Sequence, residues 1–290
     1  MEIKLLNFWY FFWLILSIGS CVGLYYLLKN KSLKTQKITL FSLLAFAFIL
    51  HFLKRLWYPF NVDVNAWRRD SWFINICAAN ICLFPFMFLV KNKAVKDYMF
   101  FLGFLGGFLA CVLPIEPIEK ADQSKETLEI IRFYIHHTTL WVVPVLMVKL
   151  KVHKLSYKRF YKTPAIFLVV LLFIMLNQVL QSELGYVAVR DGNFLNINYK
   201  NTSYIWAPGN DAIGKVFAIW CPDVFKTVPV GEFAGQEKYW PWVWLIIPIF
   251  VYLLPITFIT TAIIDRDNFV ADYKKFKSYI KLKFFKKTKE

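Results

Sequence analysis

Long apolar stretches alternate with short polar connections along most of the chain. The hydrocarbon core of a bilayer is about 30 Å thick, so a helix needs roughly 20 apolar residues to cross it. Seven stretches approach that length with few charges inside them, which predicts an all-α, polytopic membrane helix bundle with seven transmembrane spans. The predicted spans are Leu5–Leu28, Ile38–Phe60, Trp72–Val90, Tyr98–Leu113, Ile131–Val148, Thr163–Gln181 and Trp240–Ile264.

The composition supports a membrane protein. Of the 290 residues, 58% are hydrophobic and 19% are aromatic, and the mean hydropathy is +0.46, whereas soluble domains are usually about 45–50% apolar. The spans define a transmembrane domain over residues 1–264, which includes a long outer connection over 183–239. Residues 265–290 form a basic tail. Within the outer connection, the letters NFLNINY at 193–199 predict a short strand.

The net charge of +16 is concentrated in alternate connections. Lysine and arginine fill the first, third and fifth connections and the tail, whereas the second connection is balanced and the fourth is acidic. The positive-inside rule therefore predicts an outside N-terminus, a cytoplasmic C-terminus and a multi-pass protein of the cell membrane. We expect the excess charge to meet anionic headgroups of the inner leaflet rather than nucleic acid. We also expect His153, in a basic connection, to be solvated.

Several polar side chains fall at one depth in the outer half of the predicted membrane. Cys77 lies about five residues inside the third span, or roughly 7 Å at 1.5 Å per residue, and His136 and His137 lie at a similar depth in the fifth. Ionisable groups near a helix centre cost about 2.5–3.5 kcal/mol each, and they usually face the bundle interior at a functional site. Membrane lipids are therefore the expected partners of a polar pocket that opens to the outer leaflet.

A thiol beside an imidazole is a nucleophile–base pair, because the imidazole removes the proton and the thiolate attacks an acyl carbonyl. Cys77 is the predicted nucleophile, whereas Cys82 lies deeper and points elsewhere. Either His136 or His137 is the predicted base, since adjacent residues diverge by about 100° on a helix. The predicted substrate-binding residues, as cations for a lipid phosphate or as other polar groups of the pocket, are His51, Lys54, Arg55, Asn75, Asn80 and Asn177.

Three segments resemble the YwaF / transmembrane protein 164 family. The letters WFINICAANICLFPFMFLVKNK, at 72–93, are similar to the family's signature helix with an embedded cysteine and a following KNK-type loop. FYIHHTTLWVVPVLM, at 133–147, is similar to a later helix that carries a histidine. INYKNTSYIWAPG at 197–209, followed by YWPWVW at 239–244, resembles the end of the family's outer loop and its last span.

The resemblance implies a membrane fold of six or seven spans. The eukaryotic member of the family resembles a lipid acyltransferase that works through a cysteine and a histidine, so the resemblance implies Cys77 and His137 in those roles, with His136 as the alternative. This chain departs from the family in two places. A histidine found near the cysteine in bacterial relatives is Asn75 here, and the outer loop between Pro208 and Trp240 is longer.

Two classes of function remain open from the sequence. The first is an integral-membrane acyltransferase or acyl hydrolase that acts on phospholipid or lipoprotein acyl chains from the outer leaflet. The second is a non-catalytic transporter or solute-binding protein that uses the same pocket, although the sequence lacks the internal repeat of many transporters. A histidine–zinc hydrolase is disfavoured because the predicted spans contain no Asp or Glu. Neither a metal nor a cofactor is predicted.

Overall fold

The chain forms a bundle of α-helices with one short hairpin. The computed structural model describes residues 1–120, 122–185, 203–209, 212–227, 234–235 and 237–285, with side chains up to residue 280. The strand predicted at 193–199 lies outside these residues. β1 (Lys226–Thr227) pairs antiparallel with β2 (Lys238–Tyr239). The helices are α1 (Phe8–Leu28), α2 (Leu33–Leu53), α3 (Val64–Asp70), α4 (Ile76–Leu89), α5 (Lys93–Leu102), α6 (Leu109–Val112), α7 (Ile115–Ile118), α8 (Thr127–Lys149), α9 (Lys162–Glu183), α10 (Ala212–Ala218), α11 (Ile246–Ile264) and α12 (Arg266–Phe285).

Six helical segments of the described chain are long and apolar enough to cross a membrane, which confirms the predicted all-α membrane bundle. Within the segment that holds α8, 78% of the apolar stretch is buried inside the protein, against 44% or less for the other five. The side chains of α8 therefore face protein on nearly every side. The six segments are Phe8–Leu28, Leu33–Leu56, Lys93–Ile118, Thr127–Lys149, Lys162–Glu183 and Val243–Ile264.

The predicted third span, Trp72–Val90, contains a shorter helix. α4 has 14 residues, or about 21 Å at 1.5 Å per residue, and it begins at Ile76. Two side chains fix this start: the Asn75 Oδ1 accepts the N–H of Ala78 at 2.8 Å, and the Ser203 Oγ accepts the N–H of Ile76 at 3.1 Å. An asparagine in this position is a strong helix N-cap, so the helix starts there although the apolar letters begin earlier.

The helix of the fifth predicted span, Ile131–Val148, is longer than predicted. α8 begins at Thr127, four residues earlier, and this extension carries Glu129 into the helix. Glu129 is only 1% exposed and Arg132 only 9%. Apolar composition placed the start of the span at Ile131, between these two charges, but the structure buries both because they pair with each other.

A segment of π-helix connects α5 to α6 and packs against α8. It spans Gly103–Phe108, and such wide turns are rare and often occur at functional sites. A Cβ atom added at Gly107 would lie 2.6 Å from the backbone oxygen of His137 and 3.0 Å from the backbone nitrogen of Trp141. Glycine is therefore required where this segment touches α8, and the contact helps to position the turn that carries His137.

Part of the outer connection packs onto the bundle. Ile205 is fully buried and Trp206 is 3% exposed. The Trp206 Nε1–H donates to the Gln178 Oε1 at 2.8 Å, and the N–H of Trp242 donates to the backbone oxygen of Ile205 at 2.7 Å. The segment over 203–209 thus ties the start of α4 to α9 and to the approach to α11.

The opposite end of the bundle holds a second buried polar cluster. Asp97 accepts hydrogen bonds from the His153 Nε2 at 2.7 Å and from the Arg159 Nε at 2.7 Å. His153 is 5% exposed, so the expectation that it is solvated is wrong: its buried carboxylate partner draws it inward. Nearby, hydrogen bonds from the side chains of Lys158 and Tyr157 lower the pKa of Asp272 on α12, which docks this helix against the connection before α9.

Replacing Gly107 with alanine is expected to lower the free energy of unfolding by about 1–3 kcal/mol, the usual cost of overpacking. The new Cβ would meet the backbone of α8 at His137. Gly106→Ala is the matched control, because a Cβ there meets nothing within 4 Å. Thermal unfolding of both purified variants in one detergent measures the difference. Equal unfolding midpoints for the two variants would contradict the close packing described here.

Candidate functional site

A polar cavity of about 590 Å³ lies at the start of α4. Its walls come from α2 and the turn after it, the start of α4, the short helix α7, and the first half of α8. Six of the nine residues predicted from the sequence line this cavity: His51, Lys54, Asn75, Cys77, His136 and His137. Charged residues that the prediction did not include also line it, among them Asp70, Glu116, Glu119, Lys120, Glu129 and Arg132.

The other three predicted residues do not line the cavity, and two of them bond elsewhere. The Arg55 Nη1 donates to the backbone oxygens of Phe60 at 3.0 Å and Asn61 at 2.8 Å, and so closes the turn after α2. Asn80 is buried and accepts the hydroxyl hydrogen of Tyr98 at 2.8 Å, which links α4 to α5. Asn177 is on α9 and is partly buried. A location in the outer half of a helix therefore did not distinguish cavity side chains from structural ones.

Cys77 is the second residue of α4, and its half-buried side chain lines the cavity. The first N–H groups of a helix carry partial positive charge, so the positive end of α4 lies beside the thiol. The N–H groups of Ile76 and Ala78 on either side are taken by Ser203 and Asn75. Cys82, further along the same helix, is buried among apolar side chains. Of these two cysteines, Cys77 therefore lies where a substrate can reach it.

The hydrogen bonds of His137 identify its tautomer. Its Nδ1 lies 2.8 Å from the backbone oxygen of Phe133. A carbonyl oxygen only accepts hydrogen bonds, so Nδ1 carries the hydrogen and Nε2 holds the lone pair. The side chain lines the cavity. His137 therefore has the form of imidazole that can accept a proton.

His136 has the opposite tautomer. Its Nδ1 lies 2.6 Å from the Nη1 of Arg132. A guanidinium only donates hydrogen bonds, so Nδ1 accepts and Nε2 carries the hydrogen. This Nε2 is buried and has no hydrogen-bond partner among the described residues. The adjacent histidines thus differ in chemistry: His137 is an acceptor at Nε2, and His136 is a donor.

A buried ion pair sets the form of His136. The Arg132 Nε donates to the Glu129 Oε2 at 2.7 Å, and a second bond joins Nη2 to Oε1. The indole N–H of Trp57 also donates to the Glu129 carboxylate, at 3.1 Å. The sequence prediction named neither charge as a site residue: it placed Glu129 in a polar connection and did not single out Arg132 at the start of the span. The spacing of Glu129, Arg132 and His136, three and four residues apart, places them on one helix face and is the signal that identifies the group.

His51 and Lys54 form the facing wall of the cavity, and each is 2% exposed. The His51 Nε2 lies 3.1 Å from the backbone oxygen of Ser71, so this nitrogen donates, and the Nδ1 lone pair has no hydrogen-bond partner among the described residues. The rings of His51 and His136 have centroids 5.6 Å apart. The Lys54 Nζ donates to the backbone oxygen of Asp70 at 2.5 Å. Within the described ranges, no group of three or more His, Cys, Asp or Glu side chains is arranged to hold a metal ion.

Arg132→Met is expected to lower the free energy of unfolding by about 3–5 kcal/mol, because it leaves the Glu129 carboxylate buried without its cation. The matched control is the double variant Glu129→Leu/Arg132→Met, which removes both charges and is expected to be more stable than Arg132→Met alone. Thermal unfolding in detergent compares the two. A double variant less stable than Arg132→Met would contradict a coupled pair.

Comparison with known proteins identifies the family of this chain. A search of curated proteins finds no match, and a search of solved structures finds none either. The profile of the TMEM164 family matches residues 5–261, a range that holds all six long apolar segments to within three residues and the whole cavity. The match confirms the resemblance seen in the sequence. The chain belongs to the TMEM164 family.

Proposed function

We propose that this protein is an integral-membrane acyltransferase or acyl hydrolase that acts on phospholipid or lipoprotein acyl chains. Cys77 is the nucleophile in this proposal, and His137 is the general base. One observation carries it: a half-buried thiol and an imidazole with a free Nε2 lone pair line the same cavity. A thiol and a base in one water-poor site are the parts that acyl transfer through a thioester needs.

The first half of the reaction forms a thioester. His137 takes the proton from the Cys77 thiol at Nε2, and the sulfur attacks the carbonyl carbon of an acyl ester. The tetrahedral oxyanion collapses, the C–O bond breaks, and the imidazolium returns the proton to the departing alkoxide. The products are an acylated cysteine and a lysolipid alcohol. The hydrogen bond from His137 Nδ1 to the Phe133 oxygen holds the ring in the tautomer required throughout.

The start of α4 supplies groups that favour the oxyanion. The partial positive charge at a helix N-terminus stabilises negative charge within its first turn. The Asn75 carbonyl oxygen is engaged in capping α4, which leaves its NH₂ group to donate into the cavity that it lines. Asn75 therefore has a role as cap and donor in place of the histidine found in bacterial relatives.

In the second half, an acceptor attacks the thioester and regenerates the thiol. Water as the acceptor gives hydrolysis, a lysolipid hydroxyl gives a new ester, and a lipoprotein amine gives an amide. Each acceptor transfers its proton to His137, which passes it to the departing thiolate. The same cavity would also suit a polar solute, so a non-catalytic solute-binding or transport protein is the competing function.

The thioester is the intermediate that distinguishes these functions. Mass spectrometry of the purified protein after incubation with phospholipid is expected to detect an acyl adduct on Cys77 that hydroxylamine removes. Cys77→Ser is expected to abolish this hydroxylamine-labile adduct, and His137→Phe is expected to reduce it at least about hundredfold, the lower end of general-base contributions. Cys82→Ser, on the same helix but buried among apolar side chains, is the matched control and is expected to retain it.

Two results would contradict the proposal. An unmodified Cys77 in every sample, with the added lipid unchanged, would favour the solute-binding function. An adduct that forms equally in Cys77→Ser would show that another residue is acylated.

We further propose that the protein crosses the cell membrane seven times, with its N-terminus outside and its C-terminus in the cytoplasm. The alternation of basic and acidic connections supports this orientation. In this arrangement α4 is the third span, a short one that adds to the six long segments, and its first turn faces the outer half of the membrane. The basic tail, 265–290, and the basic connections would then meet anionic headgroups of the inner leaflet.

Reporter fusions test the orientation. In a bacterial host, a fluorescent protein fused after Glu290 is expected to fold and fluoresce, and alkaline phosphatase at the same position is expected to be inactive because its disulfides need an oxidising compartment. Phosphatase inserted within the outer connection, after Gly185, is expected to be active. The reversed pattern would contradict the proposed orientation, and activity at both positions would contradict a single span between the outer connection and the tail.

A further inference from the structure

The cavity is lined by two buried donor groups, one from the end of α2 and one from α8. Lys54, at the end of α2, presents an ammonium with three hydrogens, and the structure gives one of them to the backbone oxygen of Asp70. The ammonium also lies 4.7 Å above the ring of Phe60. On α8, the Nε2–H of His136 is buried and has no partner among the described residues. Both side chains are 2% exposed and line the cavity.

Buried donors of this kind are costly. A charged group removed from water needs a counter-charge, and an unpaired polar hydrogen typically costs about 1–3 kcal/mol. The structure pairs Lys54 with a neutral carbonyl rather than with a carboxylate. Two of the neighbouring carboxylates are already engaged: Asp70 with Arg69 at 2.6 Å, and Glu129 with Arg132. A ligand that brings negative charge into the cavity would satisfy Lys54 and His136 together.

We propose that Lys54 and His136 form an anion subsite that binds a phosphate group. A phosphate oxygen accepts from the ammonium of Lys54 and from the Nε2–H of His136, in charge-assisted hydrogen bonds. Arg132 acts as a positioning residue, because its guanidinium holds the His136 ring with the hydrogen on the cavity side. This subsite would bind the phosphate group of the substrate, and the inference therefore rests on the proposed function.

Two sources provide such a group: the phosphodiester of a lipid headgroup and free phosphate. Glu116 and Glu119 also line the cavity, from α7 and the residue after it. Their negative charge repels a free phosphate dianion more strongly than a phosphodiester with a single charge. The lipid headgroup is therefore the favoured source. In that arrangement the subsite binds the headgroup, and Cys77 and His137 act on the acyl ester.

Binding of a fluorescent lipid to the purified full-length protein tests the subsite. The probes are an acyl-labelled phosphatidylglycerol and the same labelled diacylglycerol without phosphate. Both are titrated onto Cys77→Ala, which cannot turn the lipid over. The phospholipid is expected to bind at least about tenfold more tightly, as one charge-assisted hydrogen bond typically provides. Equal affinity for the two probes would overturn the proposal without any further variant.

Substitutions test whether Lys54 and His136 cause the tighter binding of the phospholipid probe. Lys54→Met and His136→Phe, each in the Cys77→Ala background, are expected to reduce the phosphate preference about tenfold. Arg55→Met is the matched control, since it removes the adjacent cation of the same turn, which bonds to backbone oxygens away from the cavity. Lys54→Arg, which keeps the charge, is expected to retain most of the preference. A loss equal in Lys54→Met and Arg55→Met would overturn the assignment.

A competition arm distinguishes the two sources. Inorganic phosphate at millimolar concentration is expected to leave the bound phospholipid in place, and displacement would identify free phosphate as a ligand of the same subsite. The lipid-binding and thioester assays together distinguish failure of the subsite from failure of acyl transfer. A phosphate preference that depends on Lys54, found without any thioester on Cys77, would keep the subsite and reject acyl transfer. A thioester without phosphate preference would reject the subsite alone.

Discussion

The buried ion pair between Glu129 and Arg132 is the interaction on which the polar side chains of this protein depend. Each charge alone would be too costly so far inside an apolar bundle, and together they remain buried because two hydrogen bonds and the Trp57 indole satisfy them. The pair also uses one face of α8 and points the guanidinium at His136. The form of His136, and with it the difference between the adjacent histidines, follows from this one contact.

A second constraint acts on Cys77 from outside the bundle. α4 begins where Asn75 and Ser203 accept its first N–H groups, and Ser203 belongs to the outer connection. The outer segment is fixed in turn by Gln178 on α9, through Trp206. The position of the thiol therefore depends on residues more than one hundred positions away in the chain.

Features that depend on composition could be predicted from the sequence. Features that depend on the hydrogen-bond or ion-pair partner of a side chain could not. Apolar length predicted the membrane bundle, and six of the nine residues named for the site line one cavity. Arg55 and Asn80 do not line this cavity, and their positions in the sequence do not reveal that a backbone oxygen and Tyr98 engage them. The prediction also left out Arg132, although it lies inside the predicted span, and placed Glu129 before the start of that span. A span that buries a charge pair has a start that hydropathy alone cannot locate.

The adjacent histidines illustrate the same point at the level of single atoms. His136 and His137 are identical in type and in depth, so the sequence left their roles open. A carbonyl partner makes one nitrogen of His137 a donor and frees the other as a base, whereas a guanidinium partner does the reverse for His136. An acyl-transfer site needs a proton acceptor for its nucleophile and a donor for its anionic ligand. Two adjacent histidines can supply both groups only when their Nδ1 atoms have different hydrogen-bond partners, a carbonyl for one and a guanidinium for the other.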